Sequence, residues 1–190
     1  MIINDFRIRL LSDKRHSRPL ISPYHEELLN PSSYDVTLGS HVMVEDSLPG
    51  TWLEYPSTTQ FRKLDISDRF EGAPYLLHPG QFVLCETQQV FNMPNSLAAQ
   101  FVLKSSRARE GYQHLMAGYC DPGWNGSKLT MEIRNATQRH VLPLYPGLKI
   151  GQMVFMEAVP PERSYAEVGH YNHDEGVSAS KTTGERAFQE

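Results

Sequence analysis

The sequence predicts an all-β domain built from short strands. Three observations carry this reading. Several short runs alternate apolar and polar residues, the pattern of a half-buried strand. Gly and Pro number 13 each and are scattered along all 190 residues, so turns recur throughout. Helical periodicity is scarce.

In chain order, residues 3–12 form one amphipathic helix. The strand-like runs are SYDVTLG (33–39), HVMVE (41–45), YLLH (75–78), QFVLCET (81–87), LAAQFVL (97–103), KLTMEIRN (128–135), HVLPLY (140–145) and KIGQMVFMEAV (149–159). HPGQ (78–81), MPNS (93–96), DPGW (121–124) and YPGL (145–148) are turns, because Pro presets φ and Gly accepts positive φ. Residues 46–74 read as an irregular excursion. SSRAREGY (105–112) predicts a short helix capped by Ser105 or Ser106. The polar tail, 160–190, has few apolar anchors and reads as a mobile arm appended to a domain over 1–159. In KLTMEIRN, Leu129, Met131 and Ile133 form the inward set and Glu132 faces the other way.

A chain that is 39% hydrophobic and 21% charged fits a soluble globular protein. The formal net charge of -4 argues against general nucleic-acid binding, which wants a basic surface. No apolar run is long enough to span a membrane, and the N-terminus lacks the apolar core of a signal peptide. The expected location is the cytoplasm, with Cys85 and Cys120 as two lone thiols.

Several chemistries fail on their motifs. His25-Glu26-Glu27 matches half of a zinc-deaminase signature, but the Pro-Cys-x-x-Cys partner is absent. The second His of a metalloprotease helix is absent too, so no zinc and no protein-held metal is expected. Phosphate-binding glycine loops and a serine nucleophile elbow do not occur. KSSRAR (104–109) can bind an anion by another device, combining hydroxyls, Lys104 and the fork of Arg109 at a helix start. On spacing alone it is equally an ordinary helix with solvated basic residues. Glu132 is equally a solvent-facing carboxylate, and Asp121 a turn former.

Taken together, the pieces resemble the dCTP deaminase family. KSSRAR resembles its Ser-Ser-Leu-Ala-Arg motif, AGYCDPGWNG (117–126) its Ile-Asp-Pro-Gly hairpin, and LTMEIRN (129–135) its Leu-Glu-x-x-Asn strand. SSYDVTLG (32–39), YLLHPGQFVLCET (75–87) and LYPGLKIGQMVF (144–155) resemble further family segments, in the same order.

The resemblance implies a dUTPase-like jelly-roll or distorted β-barrel with a short N-terminal helix. It implies a homotrimer with active sites between subunits. The expected reaction is zinc-independent hydrolysis of dCTP to dUTP and ammonia, with Mg²⁺ carried on the substrate triphosphate and dTTP as a feedback inhibitor. Glu132 would be the proton shuttle, with Ser105, Arg109 and Ala117 completing the catalytic cluster. Lys104, Ser105, Ser106, Arg107, Ala108, Arg109, Asp121, Thr130, Met131 and Glu132 would line the nucleotide. Asp121 would hold the 3′-hydroxyl.

Tyr165, His170, Tyr171 and Asp174 would form the lid, with His170 at the family's Lys position and Asp174 at its Gln position. A carboxylate beside a triphosphate repels it unless a cation intervenes. A dCMP-type or modified-base substrate is therefore an alternative, as is a non-catalytic nucleotide sensor. Ala117-Gly118-Tyr119 resembles bifunctional members that carry dUTP on to dUMP. Asp121-Pro122-Gly123-Trp124 is closer to deaminase-only members, and deamination alone is the reading taken from the sequence.

Overall fold

The computed structural model describes residues 1–51 and 60–181. Its strands are β1 (Ile21–Ser22), β2 (Leu29–Asn30), β3 (Ser33–Glu45), β4 (Phe61–Asp65), β5 (Tyr75–Leu77), β6 (Phe82–Asn92), β7 (Leu97–Leu103), β8 (Tyr112–His114), β9 (Tyr119–Cys120), β10 (Asn125–Asn135), β11 (Leu142–Leu144) and β12 (Lys149–Glu157). The helices are α1 (Asp5–Leu11), α2 (Ser105–Glu110) and α3 (Tyr165–Val168).

Ten strands form one curled antiparallel sheet whose main path runs β8-β10-β6-β3-β12-β7-β9. The predicted runs 33–39 and 41–45 fuse into the single strand β3. Its first half, Tyr34–Thr37, pairs with β12 and its second half, Leu38–Val44, pairs with β6. β3 therefore carries the chain from one leaf of the curl to the other. A register shift between Leu38 and Val42 supplies the bend. Gly39 lies inside it, where a Cβ would sit 2.6 Å from Glu86 Cγ. Only a residue without a side chain lets that carboxylate approach.

The concave side is filled by alternating apolar residues, including Tyr34, Val36, Leu38, Phe91, Phe101, Met131, Ile133, Met153 and Phe155, all buried. The inward set predicted for β10 is found, with Leu129, Met131 and Ile133 buried. Turn chemistry behaves as read: Gly80, Gly123 and Gly147 all take positive φ. Both thiols are free and buried. Burial, then Asp121, pushes the Cys120 thiol up to about 12. Burial likewise raises Cys85.

Three local expectations are corrected. The excursion 46–74 contains β4, which pairs with His41–Glu45 at the sheet edge; residues 52–59 of it lie outside the described residues. A five-residue edge strand with Arg62 and Lys63 exposed offers too little apolar alternation to be read. The cap of α2 is Lys104, with no side-chain cap bond, so the hydroxyls of Ser105 and Ser106 are not spent on capping.

The arm, read as mobile, is docked over residues 160–181. It starts with α3, where Ser164 and Glu167 form a capping box. It then runs along β10, where Lys128 N donates to Asp174 O at 2.8 Å and His173 N to Asn125 O at 3.1 Å. Trp124 Nε1 donates to Tyr171 O at 2.9 Å, and Ser178 N to Thr130 Oγ1 at 3.3 Å. Val177 and Ala179 bury their side chains with Met43 and Leu84 in a small second apolar cluster. A polar segment is ordered here because its backbone finds partners on a strand that is already folded.

Buried Glu86 fastens the arm's far end. Its Oε1 accepts from Lys128 Nζ at 2.9 Å and contacts His41 Nδ1 at 3.1 Å, and its Oε2 accepts Val177 N at 2.9 Å. Burial alone would raise this carboxyl, but the bonds from Lys128, His41 and Val177 hold it below the usual range. A depressed folded value stabilises the fold above the unfolded carboxylate value, about 4.3, and that stabilisation is lost as pH falls through the folded value. Urea midpoints should therefore drop below about pH 4, and the drop should be smaller in Glu86→Ala. Equal acid sensitivity in both proteins would assign the effect to other carboxylates.

Candidate active site

A cleft of 460 Å³ opens between the arm and the outer face of β10. Glu132, Thr130, Ala117, Asp121, Tyr165, Tyr171 and Asp174 all line it. These residues come from three separate stretches of sequence. The Asp-Pro-Gly turn is held against the arm by its glycine: a Cβ on Gly123 (φ +89°) would lie 1.9 Å from Ser164 Oγ. The hairpin and arm therefore close on each other, with Asp121 between them.

Glu132 points out of the core, as its place in the alternation requires. Its side chain is 24% exposed, and its Oε2 is buried. One oxygen is thus withdrawn while the side chain faces the cleft. Phe61, Phe82, Leu84 and Trp124 add an apolar wall, suited to the faces of a flat ring. Trp124 belongs to the Asp-Pro-Gly hairpin and Phe82 and Leu84 to the segment 75–87, whereas Phe61 lies in no motif visible in the sequence. Lys128 also lines the cleft and was not singled out beforehand.

The basic cluster is elsewhere. None of Lys104 to Arg109 lines this cleft. Lys104 Nζ contacts both oxygens of buried Asp35 at 2.7 Å, so its charge is committed inside the chain. Arg107, expected to line the nucleotide or to be solvated, does neither: it is only 25% exposed, with Nε donating to Lys149 O at 3.0 Å and NH1 to Glu110 at 2.5 Å. It pins α2 to β12. Ser105, Ser106, Ala108 and Arg109 are exposed, and the Arg109 side chain has no hydrogen bond or ion pair among the described residues. Met131 is fully buried, so its side chain faces the core and not the cleft.

In the arm, Asp174 does not present a bare carboxylate. Oδ1 meets Lys181 Nζ at 2.5 Å and Oδ2 accepts from Ser178 Oγ at 3.2 Å. Lys181 Nζ also lies 5.1 Å from the centre of the Tyr171 ring. His170 is exposed and is not among the cleft residues. Burial raises the Tyr165 hydroxyl. Among the described residues, no three of His, Cys, Asp or Glu gather as a metal-holding group, and no helix is long and apolar enough to cross a membrane.

The chain is similar to known proteins over nearly its whole length. A "dCTP deaminase, dUMP-forming" from Corynebacterium kroppenstedtii is 36% identical over 186 residues, covering 95% of this chain and 97% of the relative. A protein of the same description from Rhodococcus jostii is 36% identical over 166 residues, covering 85% and 86%. Among solved structures, the 2′-deoxycytidine 5′-triphosphate deaminase of Agrobacterium tumefaciens superposes with a TM-score of 0.63 at 21% identity. That match covers 83% of this chain and 48% of the longer one, and it establishes the shared fold. The model of the dCTP deaminase-like family matches residues 3–158. The chain therefore belongs to the dCTP deaminase-like family.

Proposed function

We propose that the protein deaminates dCTP and carries the product on to dUMP. The observation behind the first half is Glu132, a partly withdrawn carboxylate in a cleft with apolar walls, beside Ala117 and Asp121. Such a group can act as base and acid in turn. Glu132 takes a proton from water as its oxygen bonds to C4 of the base, and passes that proton to N3. It then takes the second proton of that water and delivers it to the 4-amino group. The C4–N bond breaks, ammonia leaves and C4 becomes a carbonyl. Ala117 leaves room for the water, and Asp121 holds the 3′-hydroxyl.

The second half rests on the relatives, which share about a third of their residues with this chain and are named dUMP-forming. It departs from the deaminase-only expectation. A second water attacks the α-phosphorus, and pyrophosphate leaves. Incubating the protein with dCTP tests both halves: ammonia, dUMP and pyrophosphate are expected. Accumulating dUTP would restrict the activity to deamination, and binding without turnover would make the protein a sensor.

The division of the site supports assembly. The cleft of one copy lacks Arg109, the cation that α2 leaves exposed, so we place α2 of a neighbour beside it, with Ser105, Ser106 and Arg109 on the phosphates. The domain over 1–159 supplies both half-sites and the arm, over its described residues 160–181, covers the base; the remainder of the arm, 182–190, lies outside the described residues. A closed trimer is the expected arrangement, with dTTP competing for the same site. Light scattering at the 21.6 kDa monomer mass would remove this shared site.

Mg²⁺ would ride on the triphosphate, supplying charge neutralisation there. Because Lys181 and Ser178 already satisfy Asp174, the arm fits a metal held by the substrate and not by the protein.

Arg109→Ala should weaken nucleotide binding and turnover together, by about 10–150-fold if one charge-assisted bond worth about 1.5–3 kcal/mol is lost. Arg107→Ala should instead loosen α2, lowering stability by about 1 kcal/mol. Calorimetric titration and thermal melts of both variants separate the two roles. A larger binding loss from Arg107→Ala would reverse them.

A further inference from the structure

We infer that His114 is a positioning residue for Glu132, an inference that rests on the role proposed for that carboxylate. His114 ends β8, at the register position opposite Ile133 on β10. Its side chain is only 5% exposed, and its ring stands edge-on to Phe101 with centroids 4.8 Å apart.

The loop that follows decides which ring nitrogen carries the proton. Met116 takes a left-handed φ of +66°, uncommon for a residue with a side chain. In this conformation Met116 N donates to His114 Nδ1 at 3.3 Å. An Nδ1 that accepts has no proton, so in the neutral ring the proton is on Nε2.

Nε2 lies 3.2 Å from Glu132 Oε2. Both atoms are buried, and neither has a hydrogen bond of proper geometry to any group of the described residues. A donor and an acceptor sealed together at 3.2 Å are within reach of a hydrogen bond once the carboxylate turns into line. Catalytic hydrogen bonds commonly tighten in this way when substrate binds. His114 thereby holds one carboxylate oxygen and leaves the other directed at the cleft for the reacting protons. No motif in the sequence marks it: it is one histidine among eight.

Two substitutions divide this role from loop support. His114→Gln keeps an N–H near the Nε2 position but loses the acceptor for Met116 N. His114→Asn keeps that acceptor and loses the donor to Glu132. Positioning predicts that His114→Asn lowers kcat by about 10–100-fold at nearly constant KM, as for a misplaced catalytic group, while His114→Gln retains most activity. The reverse order, or equal losses, would overturn it.

Nitrogen NMR of the ligand-free protein gives a second readout that does not depend on activity. The His114 signal, assigned by its loss in His114→Asn, should show the Nε2–H tautomer, and its Nε2 shift should move in Glu132→Gln. An Nδ1–H tautomer, or a shift indifferent to Glu132, would overturn the inference. If the native protein does not deaminate dCTP, the functional reading fails on its own while the NMR result still decides the contact.

Discussion

Glu132→Gln is expected to reduce deamination at saturating dCTP by about 10²–10⁴-fold, the range for loss of a general acid–base group. The amide is nearly the same size and still hydrogen-bonds, but it cannot cycle a proton. Nucleotide affinity should change far less, because Arg109 and the serines of α2 are separate from the strand that carries Glu132. Stability should hardly fall. The Glu132 side chain is not packed in the core, and its buried oxygen lacks a directed hydrogen bond in the free protein. A rate measurement beside a calorimetric affinity and a thermal melt decides the matter. Near-normal turnover in a folded variant would remove Glu132 from the chemistry. Parallel losses of binding and melting temperature would make it a structural carboxylate.

Glu86→Ala should have the largest effect on stability. The Glu86 side chain is fully buried and serves Lys128, His41 and the backbone of Val177 together. Removing it leaves the ammonium of Lys128, whose side chain is only 22% exposed, without its counter-charge, and leaves a buried amide unpaired. Breaking a buried pair in this way costs about 3–5 kcal/mol, which in a domain of this size lowers the melting temperature by about 6–20 °C. The arm should loosen with it, since Glu86 meets Val177 beside the apolar contacts of Val177 and Ala179. KM for the nucleotide should then rise more than kcat falls. An unchanged melting temperature would mean that Lys128 finds another partner and that the arm is held by its contacts along β10.

Much of this protein is legible in the sequence because its signals are local. Period-two alternation placed Leu129, Met131 and Ile133 inward and Glu132 outward. Pro-Gly pairs placed the turns at Gly80, Gly123 and Gly147. Ordered motifs indicated the family and the members of the cleft from Ala117 to Tyr171. What lay beyond the sequence depends on neighbours distant along the chain. Lys104 looked like a phosphate ligand until folding set it against Asp35, and Arg107 looked solvated until β12 offered the carbonyl of Lys149.

The arm looked mobile because its own residues carry few apolar anchors; its order comes from β10, Glu86 and the Met43–Leu84 surface. The roles of Glu86, Lys128 and His114 were not legible, since the partner that gives each its role lies at least 18 residues away. Sequence determined where the longer strands lie and which way the side chains of β10 point, because backbone sterics and burial act over a few residues. Only the tertiary structure decided which charges are spent inside the fold and which remain for a ligand, because a charge finds its counter-ion by position in space.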